Sequence, residues 1–298
     1  MSLAHRRRAT APVPAHQPPP VSASLITFLS DYGYHDEFVG VCHGVIARRC
    51  PQARVIDISH AIPRHDVRAG ALVLADALPY VPAGVHLAVV DPEVGSSGRH
   101  TRRAVAARTL EEKRLLVGPD NGLLMLAAER LGGVVEAVEI TRSRERLEPL
   151  SATFHGRDIF APVAAALAAG EPLLAVGERL AGSELQPLTL PVARVLDGVL
   201  RAHVLRADHF GNLILDASAA DIARAGLRLG AAVRVEIGGR SLPGRYVSTF
   251  ADVPPDQLLL YVDATRMAAL AVNRGSAAEH LAVHLDREGE TELLVRAG

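Results

Sequence analysis

Short apolar runs alternate with longer amphipathic stretches over roughly the first 170 residues of the chain. The predicted strands cover residues 25–29, 54–58, 85–90, 103–107 and 114–117. The predicted helices cover residues 37–49, 67–78, 123–131 and 159–169, and Pro or Gly follows several of them. Alternation of strands and helices is typical of a helix-covered sheet whose strands are largely parallel. The sequence therefore predicts an α/β layer sandwich with a mostly parallel sheet.

The pattern changes from about residue 192, where short β-like runs are separated by turn residues such as Gly238-Gly239 and Pro254-Pro255. These runs cover residues 198–207, 212–215, 231–237, 258–262 and 291–295. They predict a smaller, mostly β domain at residues 192–298, after an α/β catalytic domain at residues 25–188. Residues 1–24 contain three Arg and three Pro in runs without an apolar core, so we expect a disordered tail there.

Composition excludes several classes of partner. The 298 residues carry a formal charge of −1, so neither nucleic acid nor an anionic membrane is an expected partner. The apolar runs are too short to cross a bilayer, and two cysteines make neither a disulfide framework nor a cysteine metal site. We expect a soluble, cytoplasmic protein. The motifs of serine hydrolases, P-loop enzymes and standard dinucleotide binders are missing from the sequence.

Three loops rich in Gly, Pro, Asp, Asn or His suggest a site at one edge of the predicted sheet. They are Asp91-Pro92-Glu93-Val94-Gly95, Gly118-Pro119-Asp120-Asn121-Gly122 and Thr153-Phe154-His155-Gly156-Arg157-Asp158. Ligands of open α/β sheets bind outside the carboxyl ends of the strands, where Asp91 is expected. Arg99 follows eight residues later and would keep this carboxylate ionised, although a surface ion pair explains the two residues equally well.

His155 and Asp31 are the other candidates in this domain. His155 precedes a predicted helix, and imidazole titrates near neutral pH, which suits it to moving a proton. Asp31 ends the first predicted strand and has Asp36 close behind, so these carboxylates could bind a metal ion or a sugar diol. The cluster of His60, His65 and Asp66 is better explained as the cap of a helix, and there is no zinc-protease motif.

Two turns of the second domain each contain one phenylalanine among small and polar residues. Phe210 lies in Asp208-His209-Phe210-Gly211-Asn212, and Phe250 lies in Ser248-Thr249-Phe250-Ala251-Asp252. Aromatic faces stack on flat rings, and an Asn side chain offers both a donor and an acceptor to the edge of a purine. Two core phenylalanines beside turns would give the same pattern, so both interpretations stay open.

Seven motifs in the expected order resemble the S-adenosylmethionine (SAM) hydroxide adenosyltransferases, relatives of the fluorinases and chlorinases. They are Ser30-Asp31-Tyr32-Gly33, the three loops that begin at Asp91, Gly118 and Thr153, Asp208 to Asn212, Thr249-Phe250-Ala251-Asp252, and Asn273-Arg274-Gly275-Ser276-Ala277-Ala278. The resemblance runs from about residue 25 to the C-terminus. It implies an N-terminal α/β domain, a C-terminal β-barrel-like domain, and homotrimers that bind SAM between neighbouring subunits.

The activity that this resemblance implies is displacement at C5′ of the SAM ribose by water, which yields adenosine and L-methionine. The family's Asp, Arg and His trio falls on Asp91, Arg99 and His155. Asp91 and His155 would accept protons, directly or by relay, and Arg99 would steady the developing hydroxide. No cofactor or metal ion is implied, because the sulfonium is already reactive.

The resemblance also assigns substrate contacts to both domains. Asp31 would bind the ribose hydroxyls, and Asp208 would meet the methionine ammonium. The adenine would be sandwiched between Phe210 and Phe250, with its edge read by Asn212 and by the segment at Asn273.

This chain departs from the family pattern at three positions. Glu93 replaces a Gly of the acidic turn, Arg99 lies one residue later than usual, and Ala264 stands in a stretch where the family usually has a Ser. A halide could replace water as the nucleophile, although His155 favours water because the halogenating relatives lack this His. The alternatives from other classes are a SAM or adenosine sensor without turnover and a metal-dependent hydrolase built on Asp31, Asp91 and His155.

Overall fold

A computed structural model describes residues 25–96, 102–283 and 291–298 of the chain. The predicted tail at residues 1–24 and the candidate Arg99 lie outside these described residues. Within them, no helix combines the length and the apolar character that crossing a bilayer requires.

The first half of the chain forms a seven-stranded sheet. Its strands are β1 (Leu25–Ser30), β2 (Arg54–Ser59), β3 (Val85–Val89), β4 (Ala104–Thr109), β5 (Leu115–Pro119), β6 (Val134–Glu139) and β7 (Glu178–Leu180). The spatial order is β2-β1-β3-β5-β4-β6-β7. The strands β2, β1, β3 and β5 are parallel, whereas β4 and β7 run antiparallel to their neighbours. The prediction of a mostly parallel sheet is confirmed.

Helices cover both faces of this sheet. They are α1 (Phe38–Arg49), α2 (Val67–Ala77), α3 (Met125–Arg130), α4 (Ala161–Ala168) and α5 (Leu173–Val176). Buried side chains of α1 and α4 form one core with the sheet, and those of α2 and α3 form a second core on the other face. The layer sandwich predicted from the sequence is therefore confirmed.

The structure shows how two of the predicted helices begin. A five-residue π turn over Gly156–Phe160 precedes α4, so the helical backbone starts immediately after His155. The oxygen Oδ1 of Asp66 accepts a hydrogen bond from the backbone nitrogen of Ala69 at the start of α2, at 2.8 Å. This contact confirms that Asp66 caps the helix, as expected from the sequence.

The second half of the chain forms a closed barrel of seven strands with one additional edge strand. The strands are β8 (Arg194–Leu196), β9 (Val199–Ala207), β10 (Leu213–Ser218), β11 (Ala232–Ile237), β12 (Arg240–Tyr246), β13 (Leu258–Val262), β14 (Met267–Val272) and β15 (Glu292–Ala297). The order is β10-β14-β13-β12-β11-β15-β9-β8, and the pairing of β10 with β9 closes the barrel. Two short helices, α6 (Ala219–Arg224) and α7 (Ala277–Leu281), complete the domain. The prediction of a β-barrel-like domain is confirmed.

The strand β12 was missed by the sequence analysis because it contains Pro243 and Gly244, which normally indicate a turn. It pairs along its whole length with β11 but meets β13 only at Arg245 and Tyr246. The part that contains Pro243 therefore behaves as an edge strand, where a missing backbone N–H is tolerated.

A buried histidine makes the stability of the N-terminal sheet depend on pH. His86 of β3 is fully buried, its Nδ1 lies 2.9 Å from Oγ1 of Thr27, and its Nε2 lies 3.3 Å from Nη1 of Arg114. Because a guanidinium can only donate, Nε2 is the acceptor and the neutral ring carries its proton on Nδ1. Burial, followed by the Arg114 charge, lowers the pKa of His86 to about 3.

Acid is expected to destabilise the protein through this residue. In the unfolded chain His86 takes up a proton near its ordinary pKa of about 6.5, whereas the folded protein resists protonation. The free energy of unfolding should therefore fall by about 2–3 kcal/mol from this group alone between pH 7 and pH 4.5. Denaturant unfolding of the wild type and of His86→Gln at both pH values measures this difference, because Gln keeps an acceptor for Arg114 but does not titrate. An equal loss in both proteins would contradict the assignment.

Candidate active site

A cavity of about 300 Å³ opens at the edge of the N-terminal sheet where β1 and β3 end. Its wall includes Asp31, Asp91 and His155, three residues that were predicted from the sequence. Asp31 and Asp91 follow the parallel strands β1 and β3, which end at the same edge of the sheet. His155 reaches this edge from the start of the helical segment before α4.

The predicted loop from Gly118 to Gly122 supports this edge and does not line the cavity. The side-chain nitrogen of Asn121 donates a hydrogen bond to the backbone oxygen of Val90, at 2.9 Å, immediately before Asp91. Asp120 accepts from the guanidinium of Arg103, at 2.7 and 2.9 Å, and from the backbone nitrogen of Gln186 at 2.8 Å. This loop therefore holds the end of β3 in place.

Arg102 binds Asp91 and was missed by the sequence analysis. Its Nε lies 2.9 and 3.0 Å from the two carboxylate oxygens of Asp91, and its Nη2 makes a further short contact with Oδ2. Both side chains are nearly buried, with 4% of Arg102 and 6% of Asp91 exposed. Arg102 lies just before β4, an antiparallel strand that starts at the edge where the parallel strands end. That topology was the signal that could have identified it.

His155 contacts the same guanidinium. Its Nδ1 lies 2.9 Å from Nη2 of Arg102, which can only donate, so the neutral ring carries its proton on Nε2. Burial, and then the charge of Arg102, lowers the pKa of His155, which keeps the ring neutral near pH 7. The guanidinium joins His155 to Asp91 and occupies the place that a shared divalent cation would need. This arrangement argues against the metal-dependent hydrolase.

An aromatic cluster forms the apolar wall of the cavity. The rings of Tyr32, Phe38 and Phe154 pack against each other with centroid separations of 5.1 to 5.9 Å. A Cβ atom on Gly156 would lie 2.0 Å from the hydroxyl oxygen of Tyr32, so any larger residue next to His155 would displace the Tyr32 ring. The sequence motifs contained Tyr32, Phe154 and Gly156 but not Phe38, and nothing in their spacing indicated that the rings share a wall.

Asp31 lies at the end of β1 with one oxygen engaged. Its Oδ2 accepts from the backbone nitrogen of His65 at 2.8 Å, and burial raises its pKa. The His65 backbone has a positive φ of 65°, so the turn that supplies this N–H has a specific conformation.

Two departures from the family pattern lie in well-defined turns. Glu93 does not adopt a positive φ, so its turn has no need for glycine at this position. Gly95 does need to be glycine, because its φ is 76° and an added Cβ would lie 2.5 Å from the backbone oxygen of Ala152. Ala264 lies in the hairpin between β13 and β14, where Oδ1 of Asp263 accepts three hydrogen bonds.

The C-terminal candidates lie at one end of the barrel. The carboxylate of Asp208 accepts from the backbone nitrogens of Phe210 and Asn212, both at 2.9 Å, and from Nδ2 of Asn212 at 2.7 Å. These bonds fix a turn that leaves the Phe210 ring 74% exposed. The backbone oxygen of Gly211 accepts from the nitrogen of Ala278 at 2.9 Å, which ties this turn to the segment after Asn273.

Phe250 and Asn273 line an open hollow of about 620 Å³ on the same domain. The Phe250 ring packs on Tyr261 at 5.1 Å between centroids and is 40% exposed, and Nδ2 of Asn273 donates to the Val253 oxygen at 2.7 Å. None of the five C-terminal candidates lines the cavity that contains Asp91 and His155. Within one chain the structure therefore forms two groups of candidate residues, one on each domain.

Comparison with known proteins assigns the two domains that carry these residues to one family. The model of the SAM hydroxide adenosyltransferase N-terminal domain matches residues 26–177, and the model of the C-terminal domain matches residues 202–289. An (R)-S-adenosyl-L-methionine hydrolase of Salinispora tropica is 50% identical over 87% of this chain and 94% of its own length. One from Thermus thermophilus is 40% identical, covering 86% and 94%.

More distant relatives and a solved structure agree with this placement. A fluorinase from an Actinoplanes species is 28% identical over 84% of this chain and 91% of its own length. The crystal structure of an uncharacterized conserved protein from Thermotoga maritima matches with a TM-score of 0.81 and 34% identity, covering 91% of this chain and 99% of that one. The chain belongs to the SAM hydroxide adenosyltransferase family.

Proposed function

We propose that this protein hydrolyses SAM: water attacks C5′ of the ribose, the C5′–S bond breaks, and adenosine and L-methionine are released. The observation that carries the proposal is the constellation in which the buried Arg102 joins Asp91 to His155 at the wall of the cavity. The relatives named as (R)-SAM hydrolases, at 40–50% identity over most of the chain, support the same reaction.

The chemistry requires orientation of water more than activation of the leaving group. Methionine departs as a neutral thioether, so no acid has to protonate it. Water is a weak nucleophile and must be held in line with the C5′–S bond, because correct orientation supplies much of the rate enhancement in such displacements. As the C–O bond forms, the attacking water becomes strongly acidic, and a carboxylate is then a sufficient acceptor for its proton.

The geometry suggests how the three side chains divide this work. With its proton on Nε2, neutral His155 donates a hydrogen bond to the attacking water and fixes its position. Asp91 accepts the proton that the water loses. The buried Arg102 side chain keeps His155 and Asp91 in fixed positions relative to each other. From the sequence, His155 and Asp91 were both expected to accept protons, directly or by relay, and Arg99 to steady the developing hydroxide; we assign that cationic role to Arg102.

We further propose that each complete site forms between two subunits of a homotrimer. The cavity with Asp31 and His155 takes the ribose and the attacking water. The exposed rings of Phe210 and Phe250 on a neighbouring subunit would enclose the adenine, since partly exposed aromatic faces stack on flat ligands. In the same arrangement Asn212 and Asn273 would read the adenine edge and Asp208 would meet the ammonium group.

Mixing two inactive variants tests whether sites are shared. His155→Ala subunits and Phe210→Ala/Phe250→Ala subunits should each be nearly inactive alone. After mixing one to one and reassembly, about a quarter of the sites would combine an intact half from each variant, because each site samples its two contributors independently. SAM turnover should therefore recover to roughly a quarter of the wild-type rate. No recovery in verified mixed oligomers would contradict shared sites.

We also propose that the protein works in the cytoplasm and that the reaction needs neither cofactor nor metal ion. Cys42 and Cys50 are both unpaired and buried, which fits a reducing compartment. The sulfonium of SAM is reactive by itself, so the only co-reactant of the proposed reaction is water.

The experiment that tests the function is incubation of the purified protein with SAM, with and without chelator and with and without chloride or fluoride. Adenosine and methionine in equal amounts, independent of chelator and halide, are expected. A 5′-halogenated adenosine would identify a halide-using enzyme. Intact SAM that co-elutes with the protein would identify a sensor, and loss of turnover on chelation would favour a metal-dependent hydrolase.

A further inference from the structure

Three metal-ligating side chains meet away from the cavity, where α1 passes the end of β2. Nε2 of His43 and Nε2 of His60 lie 2.9 and 3.1 Å from the same oxygen, Oδ1 of Asp57. The three ligand atoms all lie within 4.8 Å of one another. None of these side chains lines the cavity, and the proposed SAM reaction uses none of them.

The buried nitrogen of His60 is the second observation that points to a ligand. His60 is 0% exposed, and its Nε2 has no hydrogen-bond partner among the residues that the structure describes. The nearby Asp57 oxygen lies outside the direction in which a ring N–H would donate. Buried polar atoms are rarely left without a partner, because losing the hydrogen bonds of water costs about 1–3 kcal/mol per group.

The other ring nitrogen of His60 has a partner that allows Nε2 to be the acceptor. Nδ1 lies 2.7 Å from Oγ of Ser30, a hydroxyl that also accepts from the backbone nitrogen of Tyr32 at 3.3 Å. When the ring carries its proton on Nδ1 and donates it to Ser30, Nε2 is left with an unused lone pair 3.1 Å from Oδ1 of Asp57. Two acceptor atoms then lie close together, and a cation bound to both would satisfy them.

We propose that His43, Asp57 and His60 bind a divalent transition-metal ion of the zinc type, with water as the fourth ligand. Two imidazole nitrogens and one carboxylate oxygen form a donor set that zinc prefers. Zinc bonds of about 2.0–2.2 Å place tetrahedral ligands roughly 3.3–3.5 Å apart. The separations of 2.9 and 3.1 Å need to widen by only a few tenths of an ångström.

The residues around this site leave it open to an ion from solvent and hold the His60 ring in a fixed orientation. The side chains of His43 and Asp57 are 36% and 30% exposed, so an ion and its water reach them from solvent. On the buried side, the Ser30 contact fixes the orientation of the His60 ring, as the partners of metal-bound histidines commonly do.

Such an ion would stabilise the segment that carries Asp31 into the cavity. Ser30 directly precedes Asp31, and the backbone nitrogen of Gly33 donates to the backbone oxygen of His60 at 2.7 Å. An ion bound to His43 of α1 and to the end of β2 would link these elements together. We expect it to raise Tm without taking part in the chemistry, so the inference does not depend on the proposed function.

Calorimetric titration of the chelator-treated, tag-free full chain with Zn²⁺ tests the proposal. Wild type should bind one Zn²⁺ that His43→Ala and Asp57→Asn each weaken at least about 10-fold. The matched control is His280→Ala, an exposed histidine of α7 in the other domain, which should bind Zn²⁺ like the wild type. Both ligand variants alter partly exposed side chains, and a far-ultraviolet circular dichroism spectrum checks that they fold.

Two further measurements make the result decisive. Co²⁺ bound in place of Zn²⁺ should give the visible absorption of a four-coordinate site in wild type and in His280→Ala but not in His43→Ala. Zn²⁺ should raise the Tm of the same proteins, while chelator leaves SAM turnover of the folded enzyme unchanged. Absence of Zn²⁺ binding in the wild type, or binding that is equal in His43→Ala and His280→Ala, would overturn the proposal.

Discussion

Replacing His155 by alanine is expected to lower kcat for SAM cleavage about 100-fold or more while the Kd for SAM changes little. His155 lies at the cavity wall, and its Nδ1 is held by Arg102. Removing the ring leaves the attacking water without the group that orients it, whereas contacts to the rest of the substrate are kept. Single-turnover rates and SAM binding by calorimetry measure the two effects separately.

His155→Gln distinguishes orientation of the water from acceptance of its proton. A glutamine side chain keeps an N–H donor near the position of Nε2 but is not a base. If His155 orients water by donating, as the tautomer imposed by Arg102 indicates, Gln should recover part of the rate lost in Ala. Equal activities of the Gln and Ala variants would contradict this role and favour the imidazole as the base. A matched decrease in SAM affinity in both would indicate a structural role instead.

Replacing Arg102 should have a second large effect, on both turnover and stability. Arg102→Ala leaves the nearly buried Asp91 carboxylate without its guanidinium, and breaking a buried ion pair from one side typically costs about 3–5 kcal/mol. Loss of a preorganised charged donor at a reacting centre typically lowers kcat by about 100- to 1000-fold. Denaturant unfolding and steady-state kinetics measure these two losses.

Two companion variants keep this prediction interpretable. In Asp91→Asn/Arg102→Gln no charge is left unpaired, so the protein should fold with near wild-type stability and remain inactive. Arg99→Ala tests the residue that the sequence spacing indicated and should retain most of its turnover if Arg102 is the functional guanidinium. Loss of turnover in Arg99→Ala, with an active Arg102→Ala, would restore the assignment made from the sequence.

The sequence predicted Asp31 and Asp91 at one edge because strand ends are visible in a hydrophobic pattern, and their convergence follows from a topological rule that needs no side-chain detail. His155 was singled out by its loop before a predicted helix and not by a strand end. The sequence could not predict that Tyr32 and Phe154 share a wall of the cavity, since edge-to-face packing depends on how loops fold over the sheet. The pattern also gave no account of His43, whose role depends on the contact between α1 and the end of β2.

The barrel also contains a strand that the local sequence pattern did not reveal. The strand β11 was predicted because its apolar residues alternate with charged ones, and β13 because its apolar run is uninterrupted. The strand β12 was missed because Pro243 and Gly244 obscure the pattern. Strand pairing across the barrel stabilises this segment, and such long-range contacts leave little trace in the local sequence.

The anchoring of Arg102 has a consequence for how the site tolerates change in chain length. Its neighbour Arg103 is fixed by a hydrogen bond from the Asp120 backbone nitrogen to the Arg103 oxygen at 2.9 Å, and Ala104 pairs with Pro119 in the sheet. The guanidinium is thus located by the start of β4 and not by its distance along the chain from Asp91. Insertions or deletions between the acidic turn and this strand would leave the pair intact. For proteins with this topology, the functional arginine is best found by counting backward from the strand.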